Sequence, residues 1–302
     1  MHLSLDINNE SPPDDFLERL MQARLANFWR AFVPRQGADH HEMMAEERYE
    51  KFCSEFLPSL PPVFALEPSD KWDQRQQNLP LQRQVLHVAI FHSLCQNFRS
   101  VLLRKPAEVQ NLPAYKQLLV ASQRRALAAA ALRMLDGVSK LHVLLGRSHT
   151  RFAAIILPTF EAAIILVSLI MDAEFPDLTM SNVTYSQTLN ADPLGWEKAH
   201  VTRERCLRAV QEAQARLEML AEMSNMATVG ARTVARSMAN MLLSTSTTVG
   251  SGDDAQTTLL DFDNLCSVGE GQMGQPTLVD LDNFFSTYSA ETFGSLNNEI
   301  PD

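Results

Sequence analysis

The chain has 302 residues, nearly half of them hydrophobic, which is enough to bury a sizeable core in one or two domains. Its formal charge of −10 argues against duplex nucleic acid as a direct partner, because phosphate binding needs clustered Lys and Arg. All of that imbalance lies at one end: residues 251–302 hold ten Asp and Glu and no Lys or Arg, while residues 1–250 are formally neutral.

The opening MHLSLDINNE has neither a basic n-region nor an apolar h-region, so no secretory signal is expected. Cys53, Cys95, Cys206 and Cys266 are far apart, without CxxC spacing, a pattern suited to a reducing compartment.

Pro12-Pro13-Asp14-Asp15 reads as a cap before a helix running toward Phe32. A polar loop over 34–41 follows, then a second helix over 42–57 that SLPPVFAL ends with a proline turn. Pro80 is placed to open a third helix. In it Val88, Phe91, Cys95, Phe98 and Leu102 step by three and four, and Leu86, Ile90 and Leu94 add a second apolar side. A helix apolar on most sides belongs inside a bundle. An Ala/Leu-rich helix is expected over 115–145, stopped by Gly146.

The run FAAIILPTFEAAIILVSLIM, residues 152–171, has the length of a membrane span. Pro158 interrupts it, however, and an acid near mid-bilayer such as Glu161 costs roughly 2.5–3.5 kcal/mol. A buried core helix with Glu161 turned toward a partner is the better reading, and no membrane partner is expected. Asp192-Pro193 offers another cap, and Leu207, Val210, Ala213, Leu217, Leu220 and Met223 form an apolar stripe beyond it. The body shows no alternating strand runs or hairpin signals, so the expected fold class is all-α.

No GxSxG, P-loop or HExxH occurs. His40, His41, Glu42 and Glu46 read as a solvated polar cluster rather than a metal site. His87 and His92, five apart, fall on different helix faces, and the adjacent Ser148 and His149 cannot face each other as a nucleophile pair. Nothing in the chain gives positive support to an enzyme.

From Thr245 the composition changes: STSTTVGSGDD reads as a linker. Beyond it, LLDFDNL at 259–265 and LVDLDNFF at 278–285 repeat one template, Leu–apolar–Asp–apolar–Asp–Asn–apolar. On a helix, Leu259, Phe262 and Leu265 would share a face, as would Leu278, Leu281 and Phe284 or Phe285, with Asp261, Asp263, Asp280 and Asp282 flanking them. Acidic–apolar interleaving in a polar chain is the composition of disordered activation segments. Repulsion between uncompensated acids opposes collapse and keeps the Leu and Phe side chains available. A coactivator or mediator-type partner with a cation-rimmed apolar groove is expected to bind them, weakly per motif and with avidity from two copies. The alternatives weighed are a polar tail with incidental apolar residues and a short edge strand, since Leu260–Asp263 also alternates.

Three stretches, RYEKFCSEFLPSLPPVFAL (48–66), WDQRQQNLPLQRQVLHVAIFHSLCQNFRSVLL (72–103) and LLGRSHTRFAAIILPTFEAAIILVSL (144–169), together resemble the fungal-specific transcription factor domain, the middle homology region of zinc binuclear cluster regulators. The opening LDINNESPPDD is similar to a segment inside that domain, so the resemblance covers residues 3–172. It implies an irregular multi-helix regulatory domain, here its C-terminal part over 1–244, with a disordered linker and acidic tail over 245–302. It also implies a nuclear location, a role in RNA polymerase II transcription, and a homodimer as a further partner. The zinc cluster of that family, with six cysteines and many cations, has no counterpart in this chain. DNA and zinc binding are therefore carried onto no residue here and no cofactor is expected in this chain; either the module precedes it in a longer regulator, or the start at Met1 is misplaced, or, as a third option, the chain is a regulator without the cluster. Arg99 is expected to pair with an acid or with backbone carbonyls, because an unpaired buried charge is costly; Arg147, His149 and Arg151 are expected to do the same at a helix junction. The alternative function is a helical scaffold or effector-binding protein without a transcriptional role.

Overall fold

The structure is a computed structural model that describes residues 13–14, 16–32, 44–146, 152–172, 175–176 and 192–247. Among these every regular element is helical and no strand occurs, as the patterning predicts. The polar loop 34–41, Cys266, the Arg147–His149–Arg151 group, and the proposed contact residues Leu259, Phe262, Leu265, Leu278, Leu281, Phe284 and Phe285 lie outside the described residues.

Helix α1 spans Leu17–Arg30, and Phe16 donates its N–H to Asp14 Oδ1 at its entry. Helix α2, Ala45–Lys51, passes into a π-helical turn over Phe52–Phe56 and a 3₁₀ turn over Leu57–Ser59. The wider turn stacks Phe52 on Phe56, ring centroids 5.2 Å apart, and Phe52 also stacks on Trp29 of α1 at 5.4 Å. Phe28 meets both phenylalanines edge-on or tilted, so the end of α1 and the π turn share one aromatic cluster. Each such ring pair is worth about 0.5–1.5 kcal/mol beyond its area.

Helix α3, Leu79–Phe98, opens one residue before Pro80, which occupies the first turn where its missing N–H is unneeded. Leu86, Val88, Ile90, Phe91, Leu94, Cys95 and Phe98 are all buried, which matches a helix apolar on most sides. A 3₁₀ turn over Arg99–Leu103 and the short α4, Pro106–Gln110, lead into α5, Ala114–Leu144.

Helix α5 is the central element. It packs against α3 on one side and α6, Ala153–Ile170, on another. Its segment Leu127–Ala131 has no exposed surface, and the small alanines let neighbours approach from several directions. Gly137 marks the closest approach: a Cβ there would stand 3.0 Å from Gln84 Nε2 and 3.2 Å from Val88 Cγ2 of α3. Gly146 ends the helix two residues beyond Leu144 in the left-handed region, φ 76°.

Helix α6 carries Pro158 internally, and both of its faces are largely covered by protein. Among the described residues it is the one helix long and apolar enough to cross a membrane, and two thirds of that stretch is buried within the fold. Asp192 does not cap a helix: it accepts the N–H of Leu194, the N-cap residue of the short α7, Gly195–Ala199, and so shapes the turn that leads into it. The longer α8, Arg203–Leu220, has its own cap: the Thr202 hydroxyl accepts the Arg205 N–H. Its buried stripe runs Cys206, Val210, Ala213, Leu217 and Leu220 and packs on α6. The stripe thus begins at Cys206 rather than Leu207, and Met223 lies past the helix end, exposed. Helix α9, Asn225–Thr247, follows a short turn. The described residues up to Met241 form one compact body.

Candidate functional site

Among the polar clusters that interrupt the apolar body, three carry the candidate titratable groups. The first joins α3 to α6. Glu161 projects from the middle of the apolar helix toward α3, where His92 Nε2 lies 2.6 Å from its Oε2 and Gln96 Nε2 donates to its Oε1 at 2.9 Å. Gln96 Oε1 in turn accepts from Arg99 Nη1 at 2.8 Å. His92 and Gln96 are four apart on α3 and Arg99 follows three later as its C-cap, so the three line up along one side. Burial alone would neutralise the pair. The Glu161 carboxylate overcomes it and holds His92 above its ordinary value, and His92 with Arg99 holds Glu161 below its own. A charged pair therefore sits between two apolar helices, as the sequence reading of Glu161 requires. Arg99 differs from expectation. It is exposed, at the end of α3, and reaches the acid through Gln96 and through its charge rather than by a direct bond.

The second cluster connects the chain after α6 back to α2. Asp192 accepts from the Tyr49 hydroxyl at 2.5 Å and from Lys198 Nζ at 2.7 Å, and Lys198 lies over the Tyr49 ring. Burial would raise the Asp192 carboxyl, but the bonds from Lys198 and Tyr49 hold it low. Cys53, one turn from Tyr49, is pushed up to about 12 by burial. Beside this cluster Trp196 is exposed, stacked on His200 at 4.2 Å and faced by Arg205, which pairs with Glu197.

The third cluster fastens the proline turn to α3. Arg83 grips Asp73 with both terminal nitrogens, at 3.1 and 2.8 Å, and donates Nε to the Val63 carbonyl at 2.7 Å. One turn on, His87 Nε2 donates to Ala65 O at 2.9 Å and to Phe64 O at 3.3 Å. Burial lowers His87 to about 4, so it stays neutral and serves as a donor. His87 and His92 face different neighbours, as their spacing dictates.

These clusters hold the bundle together and carry no activated nucleophile. Cys206 is pushed up to about 12 and Cys95 well above its ordinary value, both by burial, so their thiols remain protonated. Among the described residues no group of three His, Cys, Asp or Glu could hold a metal ion. A depression at the α8–α9 turn is lined by the consecutive residues Ala221–Met226, a surface turn rather than a cavity between core helices. Sequence reasoning missed Tyr49, Asp73, Arg83 and Lys198, whose partners are 143, 10 and 6 positions away.

The chain is homologous to fungal proteins that are named transcription factors. It is 43% identical over 221 residues to Transcription factor xilB of Penicillium rubens, a match covering 73% of this chain and 32% of that protein. It is 37% identical over 240 residues to Probable transcription factor sol4 of Alternaria solani, covering 77% of this chain and 42% of that one. The chain thus spans about a third to two fifths of the length of these curated relatives. No protein-family profile and no solved structure matches it. The kinship supports a role in the regulation of transcription.

Proposed function

We propose that this chain, a relative of fungal transcription factors, acts in the nucleus as the regulatory and activating portion of a regulator of RNA polymerase II transcription. In this reading the helical body, residues 1–244, is a non-enzymatic regulatory domain of the zinc-cluster type. The acidic tail, 245–302, recruits coactivator or mediator-type proteins through Leu259, Phe262, Leu265, Leu278, Leu281, Phe284 and Phe285. DNA would be reached through a zinc-bearing module that none of the residues of this chain supplies.

The observation that carries the reading is the 43% identity over 221 residues to a protein named as a transcription factor. The charge pattern adds to it: ten acids and no cation in the last 52 residues, with one acidic–apolar template written twice. Carboxylates keep such a segment hydrated, and the interleaved Leu and Phe supply the burial that binding needs.

The test joins the full chain to an unrelated DNA-binding module and measures output from a reporter bearing that module's site. Output above the module alone is expected. It should be lost when Phe262, Leu265, Leu281 and Phe284 are changed together to Ala. A fusion that reaches the nucleus and leaves the reporter unchanged would instead favour a helical scaffold without a transcriptional role.

A further inference from the structure

The elbow between α3 and α5 carries a surface with a different composition from the rest of the body. Leu103 is 74% exposed, Tyr115 67% and Leu118 51%. Leu103 ends the 3₁₀ turn, whereas Tyr115 and Leu118 are three apart on the first turns of α5 and so share a face. Arg104 and Lys105 follow Leu103 directly in the chain and Lys116 follows Tyr115, all three exposed. None of these three makes an ion pair among the described residues; Lys116 lies over the Tyr115 ring at 6.0 Å. The stretch 99–118 holds four cations against one acid, Glu108, in a chain whose net charge is −10.

The elbow is also held in shape. Gln117 Nε2 donates to the carbonyls of Gln110 and Leu112, and Asn111 Nδ2 donates to that of Ala107. Val101, buried beneath, anchors the 3₁₀ turn, which packs on α5. A surface ordered in advance loses less entropy on binding.

We propose that this patch docks an acidic–apolar peptide segment of a partner protein. The apolar residues alone would leave the occupant open; the charge selects it. Leu or Phe side chains of the segment would cover Leu103, Tyr115 and Leu118, and its Asp or Glu would meet Arg104, Lys105 and Lys116. Cations around an apolar centre steer an acidic ligand and hold its register, while burial supplies most of the affinity. The proposal stands apart from the transcriptional reading, since it concerns a face of the helical body and needs no output from the tail.

The test uses the full chain and a fluorescent peptide in which Asp alternates with Leu and Phe, followed by anisotropy. Binding is expected, weakening as salt is raised. Control peptides with Asn for Asp, or Ala for Leu and Phe, should bind at least about tenfold more weakly. The same loss is expected for two variants of the chain: Lys105→Glu with Lys116→Glu, and Leu103→Ser with Tyr115→Ser and Leu118→Ser. These positions are exposed, so melting temperatures should be unchanged; if the apolar variant misfolds, the charge variant decides. Equal binding by wild type and charge variant, or by the acidic control lacking Leu and Phe, would overturn the proposal. So would tighter capture by vesicles of anionic phospholipid, which would assign the face to a membrane surface. A dimer that the apolar variant dissociates would assign it to a second copy, with the same consequence.

Discussion

His92 of α3 and Glu161 of α6 form an ion pair at 2.6 Å across the interface of two otherwise apolar helices. Their side chains are 13% and 34% exposed, which places the pair at the rim of the core. Its worth lies between the roughly 0–1 kcal/mol of an exposed pair and the roughly 3–5 kcal/mol lost when one member of a buried pair is removed.

This pair gives the fold a defined pH profile. A histidine held above its ordinary 6.5 stabilises the fold fully below that value and ceases to do so as pH rises through its folded value. A glutamate held below its ordinary 4.5 stabilises above that value and ceases to do so as pH falls through its folded value. The penalty of His92→Gln, measured by thermal melts, is therefore expected to be largest between 4.5 and 6.5 and to shrink on the alkaline side. Gln96, Arg99 and Cys95 are the neighbouring groups, and Arg99 opposes the charge on His92. A penalty constant from that window into the alkaline range would mean that the imidazole is uncharged there.

The Asp192 cluster ranks its own substitutions. Tyr49→Phe removes one hydrogen bond and leaves Asp192 with Lys198, a cost of about 1 kcal/mol. Asp192→Ala removes the shared acceptor of Tyr49 and of Lys198, whose side chain is only 11% exposed, for about 2–4 kcal/mol. Denaturant titration should give that order; equal losses would mean that Lys198 finds another acceptor.

Gly137 in α5 and Gly146 just past its end separate backbone strain from crowding. Gly146→Ala meets no atom within 4 Å, so its cost, about 1–2 kcal/mol, comes from the left-handed backbone alone. Gly137→Val drives branched methyls against Gln84 and Val88 and should cost about 1–3 kcal/mol by separating α3 from α5. A second substitution, Val88→Ala, should restore part of the Gly137→Val loss and none of the Gly146→Ala loss.

Thiol labelling reports the same burial. Cys53, Cys95 and Cys206 are buried with raised values, so an alkylating reagent should modify them only as the fold opens. Mass spectrometry of labelled peptides across a denaturant series would check this, and rapid labelling of Cys95 in the native protein would contradict the packing of α3 against its neighbours.

Much of this fold was legible in advance because helical burial leaves a periodic trace. The apolar positions of α3, the alanines of α5, the stop at Gly146 and the interrupted run of α6 are each encoded within a few turns of their own helix. The reading failed where geometry departs from the regular period. The π turn over Phe52–Phe56 re-aims its aromatics toward Trp29 and Phe28, which nothing in the local spacing announces. Asp192 reads as a cap in the sequence but caps no helix: α7 begins at Gly195 and ends within five residues, and Thr202 caps the longer α8. Arg99 was placed in a buried helix because its sequence neighbours are apolar, yet the helix ends at Phe98 and leaves it exposed.

The amino-acid sequence by itself determined the all-helical class, the separation of a neutral body from an anionic end, and the kinship with transcription regulators. Each of these follows from composition, period or residue identity, which are properties of neighbours along the chain. Only the tertiary structure decided that Glu161 meets His92, that Asp192 meets Tyr49, and that Leu103 and Tyr115 lie on the surface. The pairings join residues far apart in the chain, and which of them come together is settled by how the helices cross when they bury their apolar faces.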